Sequence, residues 1–115
     1  TREEINHSTV GLFESLLQRY MSEDAERMGL PSVSYFARCC NLSPGYFGEL
    51  VKAETGRTAQ DFIAERVLAC AKELLNDMSL TVTQVSERLG FEYPQHFIRF
   101  FKRHTGRTPA QYRCA

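Results

Sequence analysis

Apolar residues recur at helical intervals along most of the chain. Val10, Phe13, Leu17 and Tyr20 share one face of a 3.6-residue period within STVGLFESLLQRYMSED. Phe62, Ile63, Val67, Leu68, Ala71, Leu74 and Leu75 do the same within TAQDFIAERVLACAKELLND, where Thr58 and Asp61 have cap spacing. That run predicts a helix of about 19 residues, roughly 28 Å long. Val82, Val85 and Leu89 mark a shorter helix, and Phe97, Phe100 and Phe101 another, with His104 placed on the same core face. The segment Glu23–Pro31 reads as a connection, with Gly29 and Pro31 as breakers. No stretch alternates as a strand does. The expected fold is all-α, with about seven helices counting a short last one after Pro109.

The pattern is duplicated. TGRT occurs at Thr55–Thr58 and again at Thr105–Thr108. Backwards from it at an offset of 50, Lys52 meets Lys102, Phe47 meets Phe97 and Pro44 meets Pro94. One residue inserted in FEYP relative to LSP changes the offset to 49, whereupon Leu42 meets Phe91, Cys40 meets Leu89, Phe36 meets Val85 and Val33 meets Val82. Each copy reads as a short helix, a tight turn and a longer helix, the arrangement of a helix-turn-helix. In the second copy Thr81 and Gln84 have capping-box spacing, Gly90 stops the first helix, Pro94 opens the second and Gly106 ends it. In the first copy the turn is at Asn41-Leu42, Ser43 caps, Pro44 opens and Gly56 ends. The two units divide the chain, one domain over 1–115, into a first subdomain (9–57), a linker helix (58–77) and a second subdomain (81–114).

Charge changes how the copies are read. The 115 residues carry no net charge, yet residues 1–31 hold three basic against six acidic side chains, and residues 81–115 hold six against two. No acid follows Glu92, while Arg99, Lys102, Arg103, Arg107 and Arg113 do. Such asymmetry is a local electrostatic footprint for a polyanion. The four cysteines, Cys39, Cys40, Cys70 and Cys114, lack zinc spacing and read as reduced, mostly buried or incidental thiols. No metal, cofactor or catalytic constellation is expected, since no phosphate-binding Gly loop or paired nucleophile and base is present. No apolar run approaches the roughly 20 residues that span a bilayer. The N-terminus has no signal-peptide core, so the expected location is the cytoplasm.

LSPGYFGELVKAETGRTAQDFI, AKELL and VSERLGFEYPQHFIRFFKRHTGRTPAQYR together resemble the DNA-binding domain of the AraC/XylS family of bacterial transcription regulators, over roughly residues 9–114. The resemblance implies two helix-turn-helix units joined by a long helix, the second helix of each entering successive major grooves of double-stranded DNA. It also implies an activator, with RNA polymerase as a partner and a sensor domain N-terminal to this one; TREEINHS then reads as a linker remnant. A linker helix of this length suits grooves about 34 Å apart.

Periodicity nominates the readers. Opposite the apolar face of the last long helix lie Gln95, Arg99 and Lys102, flanked by His96, Ile98 and Arg103. Gln pairs with adenine and Arg with guanine through two hydrogen bonds each. Lys102 and Arg103 suit phosphates. The same construction on the first copy gives Gly45, Glu49 and Lys52, flanked by Tyr46, Gly48 and Ala53. Ser34 and Thr83, each in the first turn of the shorter helix, offer hydroxyls to phosphates or serve as caps. Tyr46 stacks, reaches a phosphate or packs. Glu49 stands where many family members carry a basic or amide residue, so the second unit is expected to supply most of the electrostatic affinity. Arg57 and Arg107 reach the DNA backbone or, the favoured reading, stay solvated or pair with a helix's negative end. Two alternatives are a protein-docking module built on the acidic first helix, and an enzyme, which no residue pattern supports.

Overall fold

A computed structural model describes residues 2–114, and the side chains of residues 9–114. The described residues form eight helices: α1 (Arg2–Glu23), α2 (Ala25–Met28), α3 (Val33–Cys39), α4 (Pro44–Thr55), α5 (Ala59–Leu75), α6 (Val82–Leu89), α7 (Pro94–Thr105) and α8 (Pro109–Cys114). No strand occurs among them. The expected all-α class is therefore right. The count exceeds the expected seven because the Glu23–Pro31 connection holds α2, whose four residues are too few to show a period. Helix α1 runs through the stretch read as a linker remnant.

The chain divides into two units. The first comprises residues 1–22 and 31–66, the second residues 23–30 and 67–115, so the division falls inside α5.

In the first unit Phe13 is the hub. Its ring meets Phe36, Phe47 and Phe62 edge-on, with centroids 5.4, 5.0 and 6.0 Å apart, a favoured aromatic geometry. Leu17, Leu50, Val51 and Ile63 close this core. Helices α3, α4 and α5 each start where a side chain satisfies a free backbone N–H. Ser32 accepts from the Tyr35 N–H and Ser43 from the Tyr46 N–H, both at 3.2 Å, and Thr58 accepts from the Asp61 N–H at 3.0 Å.

In the second unit Phe97 and Phe101, one turn apart on α7, are fully buried with Val85, Leu89 and Leu75. Phe91 and Tyr112 extend the cluster, centroid distances 5.4 Å to Phe97 and to Phe101 respectively. The capping box read at Thr81 and Gln84 is made, with bonds of 3.0 and 2.8 Å. A second one joins Thr108 and Gln111. Between α5 and α6, Asp77 accepts from the Ser79 hydroxyl at 2.6 Å and from the Ser79 N–H at 3.0 Å, and these bonds hold its carboxyl below the usual range. Arg113 donates to the Leu75 and Asp77 carbonyls at 2.8 and 3.0 Å and so caps the end of α5.

The turn after α6 depends on Gly90. Its φ is +97°, and a Cβ there would lie 2.5 Å from the Gly29 carbonyl carbon and 2.7 Å from the Ala25 carbonyl oxygen. The end of α2 thus lies directly against the end of α6, closer than any side chain permits. The first copy makes the same turn with Asn41 at φ +59°. In both, the N–H of the residue after the left-handed one bonds back five positions, Leu42 to Ala37 at 2.9 Å and Phe91 to Ser86 at 3.1 Å, the Schellman pattern. The pairing also sets buried Ala37 against buried Ser86, whose Oγ has no hydrogen-bond partner among the described residues.

Two stability predictions follow from this turn. Gly90→Ala should cost about 3 kcal/mol or more, a left-handed penalty plus backbone overlap. Gly106→Ala, whose Cβ would meet nothing within 4 Å, should cost about 1–2 kcal/mol; urea titrations of the two variants test the difference. Ser86→Ala should raise stability by about 1 kcal/mol by removing a buried unsatisfied hydroxyl, read as a higher urea midpoint at unchanged slope.

Candidate nucleic-acid interface

Helices α4 and α7 are built alike. Each has 12 residues, opens on a proline and ends at a left-handed glycine, Gly56 at φ +77° and Gly106 at +81°. The repeated tetrapeptide makes the same bonds twice. Thr55 Oγ1 donates to the Val51 carbonyl at 2.7 Å and accepts from the Arg57 N–H at 3.1 Å; Thr105 does the same with Phe101 and Arg107 at 2.8 and 3.2 Å. Gly56 and Gly106 donate to the Lys52 and Lys102 carbonyls at 2.8 Å. The first threonine is thus as much part of the joint as the glycine, a role that the turn-and-cap reading of TGRT missed. A Thr immediately before a Gly stop, whose hydroxyl can bond the carbonyl four residues back, is the signal that could have found it.

The outward faces differ. On α7, Phe97 and Phe101 are buried and Phe100 half-buried. Gln95, His96, Ile98, Arg99, Lys102 and Arg103 are exposed. Arg99, Lys102 and Arg103 have no ion-pair partner among the described residues. An unpaired basic row on a rigid helix is available to phosphates and base edges. His104 departs from the expected core position: it is exposed, its ring lying 4.5 Å from that of Phe100.

On α4, Phe47, Leu50 and Val51 are buried, and Gly45, Tyr46, Glu49 and Lys52 are exposed with Gly48 half-buried. Gly45, Gly48, Glu49, Lys52 and Ala53 line an open groove of about 610 Å³ with Val33 and the start of α5 at Thr58–Gln60. Five of the nominated residues on α4 are therefore in place on one surface, with Tyr46 beside them at 44% exposure.

Ser34 and Thr83 occupy equivalent second positions of α3 and α6, and both are exposed. The caps are Ser32 and Thr81 instead, so neither Ser34 nor Thr83 is used for capping. Arg57 and Arg107 part ways. Arg57 pairs with Glu65 and lies 4.8 Å over the Phe62 ring, whereas Arg107 lines a hollow with Tyr112 and Arg113. His96 has two settings: its ring meets Tyr93 at 5.4 Å, and it lines a hollow of about 780 Å³ with Glu26, Met28, Leu30, Glu87 and Glu92.

No disulfide joins the four cysteines among the described residues; Cys39 and Cys114 are exposed and Cys40 and Cys70 half-buried, which fits incidental better than buried thiols. Burial, then neighbouring Cys39, pushes the Cys40 thiol up. Among the described residues no His, Cys, Asp and Glu side chains are grouped to hold a metal ion, and no helix is long and apolar enough to cross a membrane.

Known proteins share this arrangement. Residues 36–115 match the family model described as a helix-turn-helix domain. The chain is 31% identical over 124 residues to the HTH-type transcriptional regulator YobQ of Bacillus subtilis, covering 96% of this chain and 51% of that protein. It is 29% identical to the HTH-type transcriptional activator RhaR of Salmonella typhi, covering 87% of this chain and 36% of that protein. It therefore spans about half the length of the first of these relatives and about a third of the second. Among solved structures, the C-terminal domain of the two-component response regulator yesN from Fusobacterium nucleatum superposes with a TM-score of 0.74 at 30% identity, covering 86% of this chain and 95% of that one. The DNA-binding domain of AdpA, solved with a target DNA, shares the fold at a TM-score of 0.72 and 23% identity, covering 88% and 89%. These relatives are regulators and not enzymes. A duplicated helix-turn-helix, an unpaired basic row on its second long helix and these matches lead to one conclusion: the chain belongs to the AraC/XylS family, as a DNA-binding domain of its transcription regulators.

Proposed function

We propose that the chain binds a specific double-stranded site by inserting α4 and α7 into successive major grooves and acts in transcription activation. The observation that carries this is the exposed, unpaired row Gln95, Arg99, Lys102 and Arg103 on α7, repeated in position though not in chemistry on α4. Gln95 and Arg99 read base edges. Lys102, Arg103 and Lys52, with the Ser34 and Thr83 hydroxyls, hold phosphates. Tyr46 and His96 flank the two readers, and Gly45 and Gly48 let the groove wall approach the α4 backbone. The functional division is then a first reader within 9–57, a linker over 58–77 and a second reader within 81–114. Helix α5, at 17 residues, would be about 26 Å long, the scale of one groove repeat.

Activation rests on the RhaR relative, whose name states it. Contact with RNA polymerase belongs to the acidic side, where Glu26, Glu87 and Glu92 are exposed beside Met28 and Leu30. A sensor domain preceding this one, and residence on the cytoplasmic nucleoid, complete the proposal. The AdpA domain, of the same fold, was solved on target DNA, which supports a duplex as the ligand.

Selection of bound sequences from random duplex DNA should return two short elements about one helical turn apart; one element alone would sink the two-groove reading. Arg99→Ala and Lys102→Ala should separate the two kinds of contact. The first should relax preference at one base pair at a cost of about 1–3 kcal/mol. The second should weaken all sequences alike and lower the salt slope by about 1. A wild-type affinity indifferent to salt would favour a protein-docking module instead.

A further inference from the structure

Position 49 is the structural equivalent of position 99. Both are the sixth residue of a 12-residue helix that opens on proline and closes on the same glycine-threonine joint. Both are exposed. One is a cation and the other a carboxylate. Glu49 has no ion pair or hydrogen bond among the described residues, not even with Lys52 one turn on. It shares its surface with Lys52 and Gln60. The neighbouring Gly45, Gly48 and Ala53 offer no long side chain, and a Cβ at either glycine would meet nothing within 4 Å. The fold itself therefore gives no reason for glycine at these helical positions, where alanine would be the more stable residue.

Facing a phosphate backbone, such a carboxylate lowers affinity. Facing base edges, it discriminates. A carboxylate only accepts hydrogen bonds. In the major groove cytosine presents a donor, adenine a donor beside an acceptor, guanine two acceptors, and thymine an acceptor and a methyl group. Glu49 is thus matched by cytosine, tolerated by adenine, and repelled by guanine and thymine. Arg99, which only donates, has the opposite preference and selects guanine.

We infer that Glu49 is a specificity-determining residue that selects cytosine at the base step where, in the other half-site, Arg99 selects guanine. The two half-sites are therefore not simple repeats: at the equivalent step the same base pair is turned around. This rests on the reading that α4 enters a groove. Glu49 acts by excluding wrong bases rather than by adding affinity, which is how a repulsive group confers specificity.

The test is selection from random duplex DNA by the whole chain in three forms: wild type, Glu49→Ala and Glu49→Arg. The wild type should enrich cytosine on the order of tenfold at one step of the α4 half-site. Glu49→Ala should flatten that step alone, with affinity for the selected site equal or higher at low salt. Glu49→Arg should move the preference to guanine, copying Arg99. A second half-site whose base preferences are the same in all three forms overturns the inference and leaves two-groove binding standing. So does a loss of affinity in Glu49→Ala with the preference intact, since that marks a merely structural role. A wild type that selects no second half-site overturns both.

Discussion

Helix α6 can end and turn toward α7 only because residue 90 has no side chain. A Cβ at Gly90 would overlap the backbone of Gly29 and Ala25, so the end of α2 occupies the space that any other residue would need. The left-handed angle alone does not demand glycine, since Asn41 makes the equivalent turn in the first copy at φ +59°. The packing does. It ties residues 23–30 into the second unit, although they lie between two stretches of the first. The chain thus visits the second unit early, returns to the first, and passes into the second again along α5. Neither unit is a continuous piece of sequence. The long-range pairing of α2 with α6 must form before the second unit is complete, and such non-local contacts cost loop-closure entropy before they stabilise anything.

Around that constraint the two copies conserve their joints and vary their surfaces. Thr55 with Gly56, and Thr105 with Gly106, close α4 and α7 with matching bonds. Start and stop points fix which residues face outward, so a point substitution on the outer face changes the chemistry presented there without moving the helix. The faces have diverged as that independence allows. One carries Gln95, Arg99 and Lys102, and the other Gly45, Glu49 and Lys52. Even the caps differ at these helices: Ser43 caps α4 through its side chain, whereas Tyr93 before α7 makes no such bond.

Most of the fold was legible because it rests on local signals. The stripes, the caps at Ser43, Thr58 and Thr81, the proline starts and the glycine stops all stand in the sequence, and the helices follow them. What escaped was non-local. Gly90 read as a helix stop, but its contact with Gly29 joins residues 61 positions apart, and periodicity carries no such information. Helix α2 is a single turn with no repeat to detect. His104 fell on the core side by angle, yet near the helix end it is exposed, its ring against that of half-buried Phe100. At the interface, the outward faces of α4 and α7 were readable from period alone. That Ser32 caps α3, leaving Ser34 outside the capping, needed coordinates.

Zero net charge is compatible with a polyanionic ligand because affinity depends on where charges sit. The second unit concentrates unpaired cations on α7, while the acids of residues 1–31 lie elsewhere in sequence. At Arg57 the cation is already held by Glu65 and Phe62, so its charge is partly compensated within the protein. An exposed pair of this kind adds about 0–1 kcal/mol to stability, yet it withdraws one cation from competition for phosphates. The first unit is left with Lys52 as the exposed, unpaired cation on α4, set one turn from a carboxylate. On the proposed reading, such a domain draws its attraction from one half and leaves the other half free to refuse the wrong sequence.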